Sequence, residues 1–301
     1  MKESFKFLSR DEEKKLTKEK QKEYYLKIRE YYQNQKLLQD KTLKDIHEIY
    51  QVLAKKVRNF ELEVNGQENI MDDTYIFACN HSNSHDYYIL QEILHDNFYS
   101  LCAKDSLNMM NIILLKLGSC VFIDRTNPFS AFNGRNALIE KVLQKRNVVI
   151  FPEVTWCVHP AKLLLPFHMG VIKIAKITGK PIIPIVIEYI ETDKIECQER
   201  DMIKKCIVTI GKPLYVQITD DEKDKLEELR NTMASLKWEV YEKQPSLKRD
   251  ELDFDVYANH DALKMDTKMF KYDYQKEEEY IYGNNDYLYR EYPINRVFVK
   301  K

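Results

Sequence analysis

Apolar residues after Phe60 come in short β-branched and aromatic runs: TYIFACN at 74–80, FYSLCA at 98–103, CVFI at 120–123, VVIF at 148–151 and IIPIVIEYI at 182–190. Runs of this length without alternation read as strands buried on both faces. Helix-like stretches at 131–146 and 167–178 separate them, and KKCIVTIGKPLYV at 204–216 reads as one or two late strands. The alternation predicts an α/β fold with a mixed, mostly parallel sheet covered by helices. Beyond it, residues 220–243 place Leu226, Leu229, Met233, Leu236 and Val240 on one helical face.

The chain before Phe60 has a different rhythm. Residues 11–58 contain no Gly or Pro and are rich in Lys, Glu, Gln and Leu, which predicts two helices. The second carries Leu43, Ile46, Tyr50, Leu53 and Val57 at spacings of three and four, a stripe expected to pack on a core. The organisation expected is therefore an N-terminal helical segment at 1–59, an α/β core at 60–217, and a C-terminal helix with an acidic, Tyr-rich appendage at 218–301.

Charge narrows the function classes. The net charge of −1 lacks the basic excess that phosphate neutralisation demands, so no nucleic-acid partner is expected. The distribution is uneven: residues 1–60 hold 16 Lys/Arg against 10 Asp/Glu, and residues 251–290 hold 5 against 10. Lys14, Lys15, Lys18, Lys20 and Lys22 with Tyr24, Tyr25, Tyr31 and Tyr32 suit a membrane surface, although a solvated charged helix is the commoner explanation for such a run. No apolar run reaches the length of a spanning helix, so a cytoplasmic protein, peripheral at most on the inner face of the membrane, is expected. Six scattered cysteines without a C-x-x-C pair fit reduced thiols better than a disulfide framework or structural zinc.

Chemistry concentrates in ACNHSNSHDYYIL at 78–90, where a strand runs into Asn80, His81, a polar turn and Asp86. Strand ends are where α/β folds hold ligands. A carboxylate five residues from an imidazole across such a turn can accept from one ring nitrogen and leave the other as a base. Capping of the next helix by Ser84 or Asp86 explains the same residues. His81, His85 and Asp86 also form a candidate metal set for a hydrolase. Further on, GSCVFIDR at 118–125 ends a strand with Asp124 and Arg125, and an Arg there can grip a phosphate through two parallel hydrogen bonds. VVIFPEVTW at 148–156 ends another.

Taken in order, NHSNSHD, GSCVFIDR, FPEVTW and PIIPIV resemble the four boxes of the glycerolipid acyltransferase family, which includes the lysophosphatidic acid acyltransferases. The likeness runs from about Phe60 to Val216. It implies an O-acyltransferase moving a fatty-acyl group from acyl-CoA or acyl-carrier protein to a lysophospholipid hydroxyl, with 1-acylglycerol-3-phosphate as acceptor, in phospholipid biosynthesis. No cofactor and no metal are implied. Residue by residue, it implies His81 as general base, Asp86 as its orienter, and Arg125, Glu153, Thr155, Asn80 and Gly118 around the acceptor. Pro184 is implied to shape the acyl groove. The third box departs from the family's F-P-E-G-T-R, with Val154 for Gly and Trp156 for Arg. An indole has one donor and no charge, so it cannot replace a bidentate phosphate ligand. Either Arg125, helped by Lys162, holds the phosphate, or the acceptor is a non-phosphate one such as a glycan, with Trp156 stacking on a sugar, lining the acyl channel or simply packing. A non-catalytic lipid-binding relative is a further reading.

Overall fold

The computed structural model describes residues 5–33, 48–49, 51–52, 55–56, 58–71, 73–83, 85–94, 98–103, 119–124, 127–157, 163–191 and 203–244. Gly118, Arg125, Lys162, Ser84, the stripe from Leu43 to Val57 and the appendage at 251–301 lie outside the described residues.

Seven strands form one sheet: β1 (Glu61–Asn65), β2 (Ile76–Cys79), β3 (Phe98–Ala103), β4 (Cys120–Ile123), β5 (Asn147–Ile150), β6 (Ile182–Glu191) and β7 (Ile203–Ile210), in the order β1-β7-β6-β2-β5-β3-β4. The β6–β7 pair is antiparallel and every other pair is parallel. Parallel neighbours need crossovers, and three helices supply them: α3 (Asp86–Ile93) after β2, α4 (Pro128–Leu143) between β4 and β5, and α5 (Gly170–Thr178) between β5 and β6. The chain also carries α1 (Arg10–Lys14) and α2 (Lys18–Gln33) before the sheet and α6 (Glu222–Lys243) after it.

Because side chains alternate along a strand, the sheet feeds two apolar layers. Ile76, Ala78, Val148, Ile150, Ile182 and Val186 pack with α2, α4, α5 and α6. Phe77, Cys79, Val149, Ile183, Ile185 and Ile187 pack on the opposite side with Ile89, Leu90 and Ile93 of α3. Each fully buried aliphatic side chain contributes roughly 1.5–3 kcal/mol before conformational entropy is set against it, so the near-continuous apolar runs of β2, β5 and β6 make this the stable centre.

β1 is an addition to the predicted strands. Its residues ELEVN alternate polar and apolar positions, the signature of a half-exposed edge strand, and it pairs with β7 from Glu61↔Lys205 to Asn65↔Thr209. Gly66 then turns the chain at φ +80, where a Cβ would sit 2.1 Å from the Ile210 carbonyl oxygen. The helix expected at 131–146 occupies 128–143 instead, because Asn127 caps it by accepting from the Phe129 N–H and Pro128 fits its first turn.

Two of the N-terminal tyrosines face inward. Tyr25 and Tyr32 are buried with Ile28 in the same apolar layer as α5 and α6, and Tyr24 and Tyr31 pack against it. Arg29 of α2 donates to the carbonyls of Ile177 and Lys176, both at 2.7 Å, where α5 leaves its last C=O groups open. A buried ion pair at 2.6 Å joins Glu13 of α1 to Arg135 of α4. Among the described residues no helix is long and apolar enough to cross a membrane, and the described cysteines, Cys79, Cys102, Cys120, Cys157 and Cys206, are all free.

Candidate active site

β2 delivers His81 just past its carboxyl end, and α3 begins at Asp86. The imidazole Nδ1 lies 2.8 Å from Asp86 Oδ2. Asp86 is wholly buried and accepts from four donors: that ring nitrogen, the backbone N–H groups of Ser82 and Asn83, and the Tyr189 hydroxyl at 2.7 Å. Two carboxylate oxygens offer about four acceptor sites, so this buried charge is fully satisfied. Burial, with the Asp86 charge beside it, pushes the Tyr189 phenol far above its ordinary range, which keeps it a donor at every working pH.

The FPEVTW loop encloses His81. Glu153 Oε2 accepts the His81 N–H at 2.6 Å, the Cys157 N–H donates to the His81 carbonyl at 2.6 Å, and Phe151 stacks on the imidazole with centroids 4.2 Å apart. The Trp156 Nε1–H meets His81 Nε2 at 2.5 Å. An indole nitrogen only donates, so Nε2 is the acceptor and the ring proton sits on Nδ1, facing Asp86. The dyad thus holds the tautomer that a general base needs, with its reactive lone pair directed at the indole.

Glu153 is wholly buried; its second oxygen accepts from the Leu165 N–H at 2.7 Å. Burial pushes its carboxyl up to about 7, against the pull of Lys237, the two N–H groups and Arg230. The last two cations come from α6. Arg230, fully buried, donates to the Leu164 and Leu165 carbonyls, and Lys237 pairs with Glu188 of β6 at 2.6 Å. Val154 follows Glu153 with φ +66, the left-handed region that a β-branched residue rarely enters.

Several expectations for single residues change. Asn80 is not a ligand-facing group: wholly buried, it accepts from the Ile187 N–H at 2.7 Å and donates to the Ile187 carbonyl at 3.0 Å, bracketing β2 to β6. Glu153 is likewise turned inward and braces the His81 backbone instead of reaching an acceptor. Thr155 is buried, at 3 % exposure. Pro184 does not shape a groove beside His81, because its ring packs toward Gly211, in the layer of α6 opposite α3. His85 turns away from a shared metal set, its Nδ1 lying 2.8 Å from Asn83 Oδ1, and among the described residues no three His, Cys, Asp or Glu converge as a metal site. Tyr189, Phe151, Arg230 and Lys237 are the site residues that sequence reasoning missed; all but Phe151 lie outside the first and third boxes, and no spacing flags them.

A His–Asp dyad at the carboxyl end of a mostly parallel sheet, wrapped by the FPEVTW loop, makes up the candidate site. Residues 61–188 match the family model named Acyltransferase. A curated relative, the 1-acyl-sn-glycerol-3-phosphate acyltransferase of Saccharomyces cerevisiae (strain ATCC 204508 / S288c), is 29 % identical over 143 residues, covering 46 % of this chain and 47 % of that protein. The chain therefore matches about half the length of that relative. The fold is that of the 1-acyl-sn-glycerophosphate (LPA) acyltransferase PlsC of Thermotoga maritima, with a TM-score of 0.50 and 18 % identity over 76 % of this chain and 86 % of that one.

Proposed function

We propose that this protein is an O-acyltransferase that moves a fatty-acyl group from a thioester donor, acyl-CoA or acyl-carrier protein, to a lysophospholipid hydroxyl, with 1-acylglycerol-3-phosphate as the acceptor. The observation that carries this reading is the 2.8 Å contact between His81 Nδ1 and a buried Asp86, with Nε2 left as the basic nitrogen. In the reaction, Nε2 takes the hydroxyl proton while the alcohol oxygen attacks the thioester carbonyl. The tetrahedral adduct then collapses, the C–S bond breaks, and the imidazolium returns the proton to the departing thiolate. General-base help of this kind is typically worth about 10²–10⁴-fold, or roughly 3–5 kcal/mol of barrier.

Thiol release from an acyl-CoA, followed with and without acceptor, tests the proposal. His81→Ala should lose most acceptor-dependent release; wild-type rates in that variant would remove His81 from the reaction. A second reading, a non-phosphate acceptor such as a glycan, draws support from Trp156, an uncharged indole beside the base. Comparing 1-acylglycerol-3-phosphate with uncharged acceptors separates the two.

A further inference from the structure

The peptide that joins Leu164 to Leu165 is held from both of its edges. On one edge, Arg230 of α6 donates from Nη2 to the Leu164 carbonyl at 2.9 Å. On the other, the Leu165 N–H donates to Glu153 Oε1 at 2.7 Å. The C=O and N–H of a trans peptide point in opposite directions, so a guanidinium and a carboxylate face the two ends of one amide dipole. In a buried setting each such bond polarises and strengthens the next. The line continues to the dyad, because Glu153 Oε2 accepts the His81 N–H at 2.6 Å. A second bond, from Arg230 Nε to the Leu165 carbonyl at 3.2 Å, fixes the guanidinium against the following peptide as well.

We propose that Arg230 is a positioning residue, which fixes the backbone of His81 through the Leu164–Leu165 peptide and Glu153. This rests on the reading of His81 as the base. Burying a guanidinium is costly, and an apolar side chain of similar size usually serves a core as well, so packing alone does not account for an arginine here. Arg230 is wholly buried and touches neither the thioester nor the acceptor, so its effect runs only through the groups that it holds. It also stands outside the segment 61–188 that matches the family model, which places part of the alignment of the base in a helix beyond that segment. With the line broken, Asp86 still holds the imidazole and the Cys157 N–H still holds the His81 carbonyl. The base is then displaced, not lost.

The test is acceptor-dependent thiol release from an acyl-CoA by the full chain, with 1-acylglycerol-3-phosphate as acceptor. Arg230→Met should lower kcat by roughly 10-fold, inside the ~10²-fold that a 1 Å misplacement costs, and leave KM in place. Arg230→Lys keeps a cation for one carbonyl and should recover part of the loss; it carries the same comparisons if the Met variant does not fold. Arg135→Met, which breaks the buried pair to Glu13, controls for lost stability and should keep the wild-type kcat. Glu153→Gln breaks the line by itself, since its amide nitrogen must replace the acceptor of either Leu165 or His81. Adding Arg230→Met to Glu153→Gln should then cost nothing more, whereas unconnected residues would multiply their losses. A wild-type kcat in Arg230→Met, a raised KM in place of a lowered kcat, or multiplied losses would each overturn the proposal. Amide hydrogen exchange gives a readout free of turnover. In Arg230→Met the His81 and Leu165 N–H groups should exchange roughly tenfold faster, as one lost hydrogen bond allows, while the Ile187 N–H, held by Asn80, stays unchanged. Unaltered exchange at His81 overturns the line whatever the activity. If His81→Ala turns over like wild type, the base reading fails and Arg230 loses its role in turnover. If His81→Ala is inactive and Arg230→Met is unimpaired, the base stands and Arg230 alone is lost.

Discussion

Glu153 holds the backbone of His81: one of its buried oxygens accepts the His81 N–H at 2.6 Å, and the other accepts from Leu165 at 2.7 Å. A side chain expected at the acceptor is instead a strut between two loops. Its effect on the proposed chemistry is therefore exerted through the position of the imidazole.

The strut has a pH signature. Burial raises the Glu153 carboxyl from 4.5 to about 7, so between those values the folded protein holds a proton that the unfolded chain has released. Stability contributed at this position falls as pH rises through that window, by up to about 1.4 kcal/mol per pH unit. In Glu153→Gln the dependence should vanish. Urea midpoints of both proteins at pH 5 and pH 8 check this: the wild-type advantage over the Gln variant should shrink at pH 8, and a constant difference would remove Glu153 as its source.

Tyr189→Phe deletes the hydroxyl that donates to Asp86 Oδ1. A buried charge losing one of its donors costs roughly 1–3 kcal/mol, so the denaturation midpoint should drop while the fold persists. Because Asp86 keeps its bond to His81, kcat should fall far less than in Asp86→Asn, in which the imidazole loses a charged partner. Parallel melting curves and steady-state rates for both variants make the comparison.

Val154 gives the usual residue ranking a reason to invert. At φ +66 an L-residue is strained by roughly 1–2 kcal/mol and glycine is not. Val154→Gly should therefore be more stable than Val154→Ala by about 1 kcal/mol, the reverse of the order found in helices and strands. Thermal denaturation of the two variants is the measurement.

Lys237→Met strands Glu188, which also accepts from the Tyr241 hydroxyl at 2.9 Å. Breaking a buried pair from one side costs roughly 3–5 kcal/mol, whereas replacing both members with apolar residues is often nearly neutral. A double substitution, Lys237→Met with Glu188→Leu, should recover much of the lost stability, as chemical denaturation would show.

What the sequence made legible follows from where each constraint is written. β2, β5 and β6 carry continuous apolar runs because both of their faces are covered, so their places were readable from composition along a few residues. The His81–Asp86 pair was readable because both partners lie within one turn. Tyr189 was not, since its tie to Asp86 spans 103 residues and exists only after β6 docks beside β2. The inward turn of Asn80 and Glu153 was equally hidden: a polar residue at a strand's end reads as a ligand until the backbone groups it must satisfy are in place. The tyrosines of α2 misled for a related reason. Lysine-rich spacing describes the outer half of a helix and says little about what its inner half meets.

That inner half sets a limit on dissecting the protein. The segment matching the acyltransferase model starts only at residue 61, yet Arg29 closes the end of α5, and Tyr25 and Ile28 fill space that α5 and α6 share. A fragment trimmed to the homologous stretch would expose an oily floor and a row of unmet carbonyls. Insolubility of such a fragment would then reflect its missing first helices, with no bearing on the chemistry of the loop around His81.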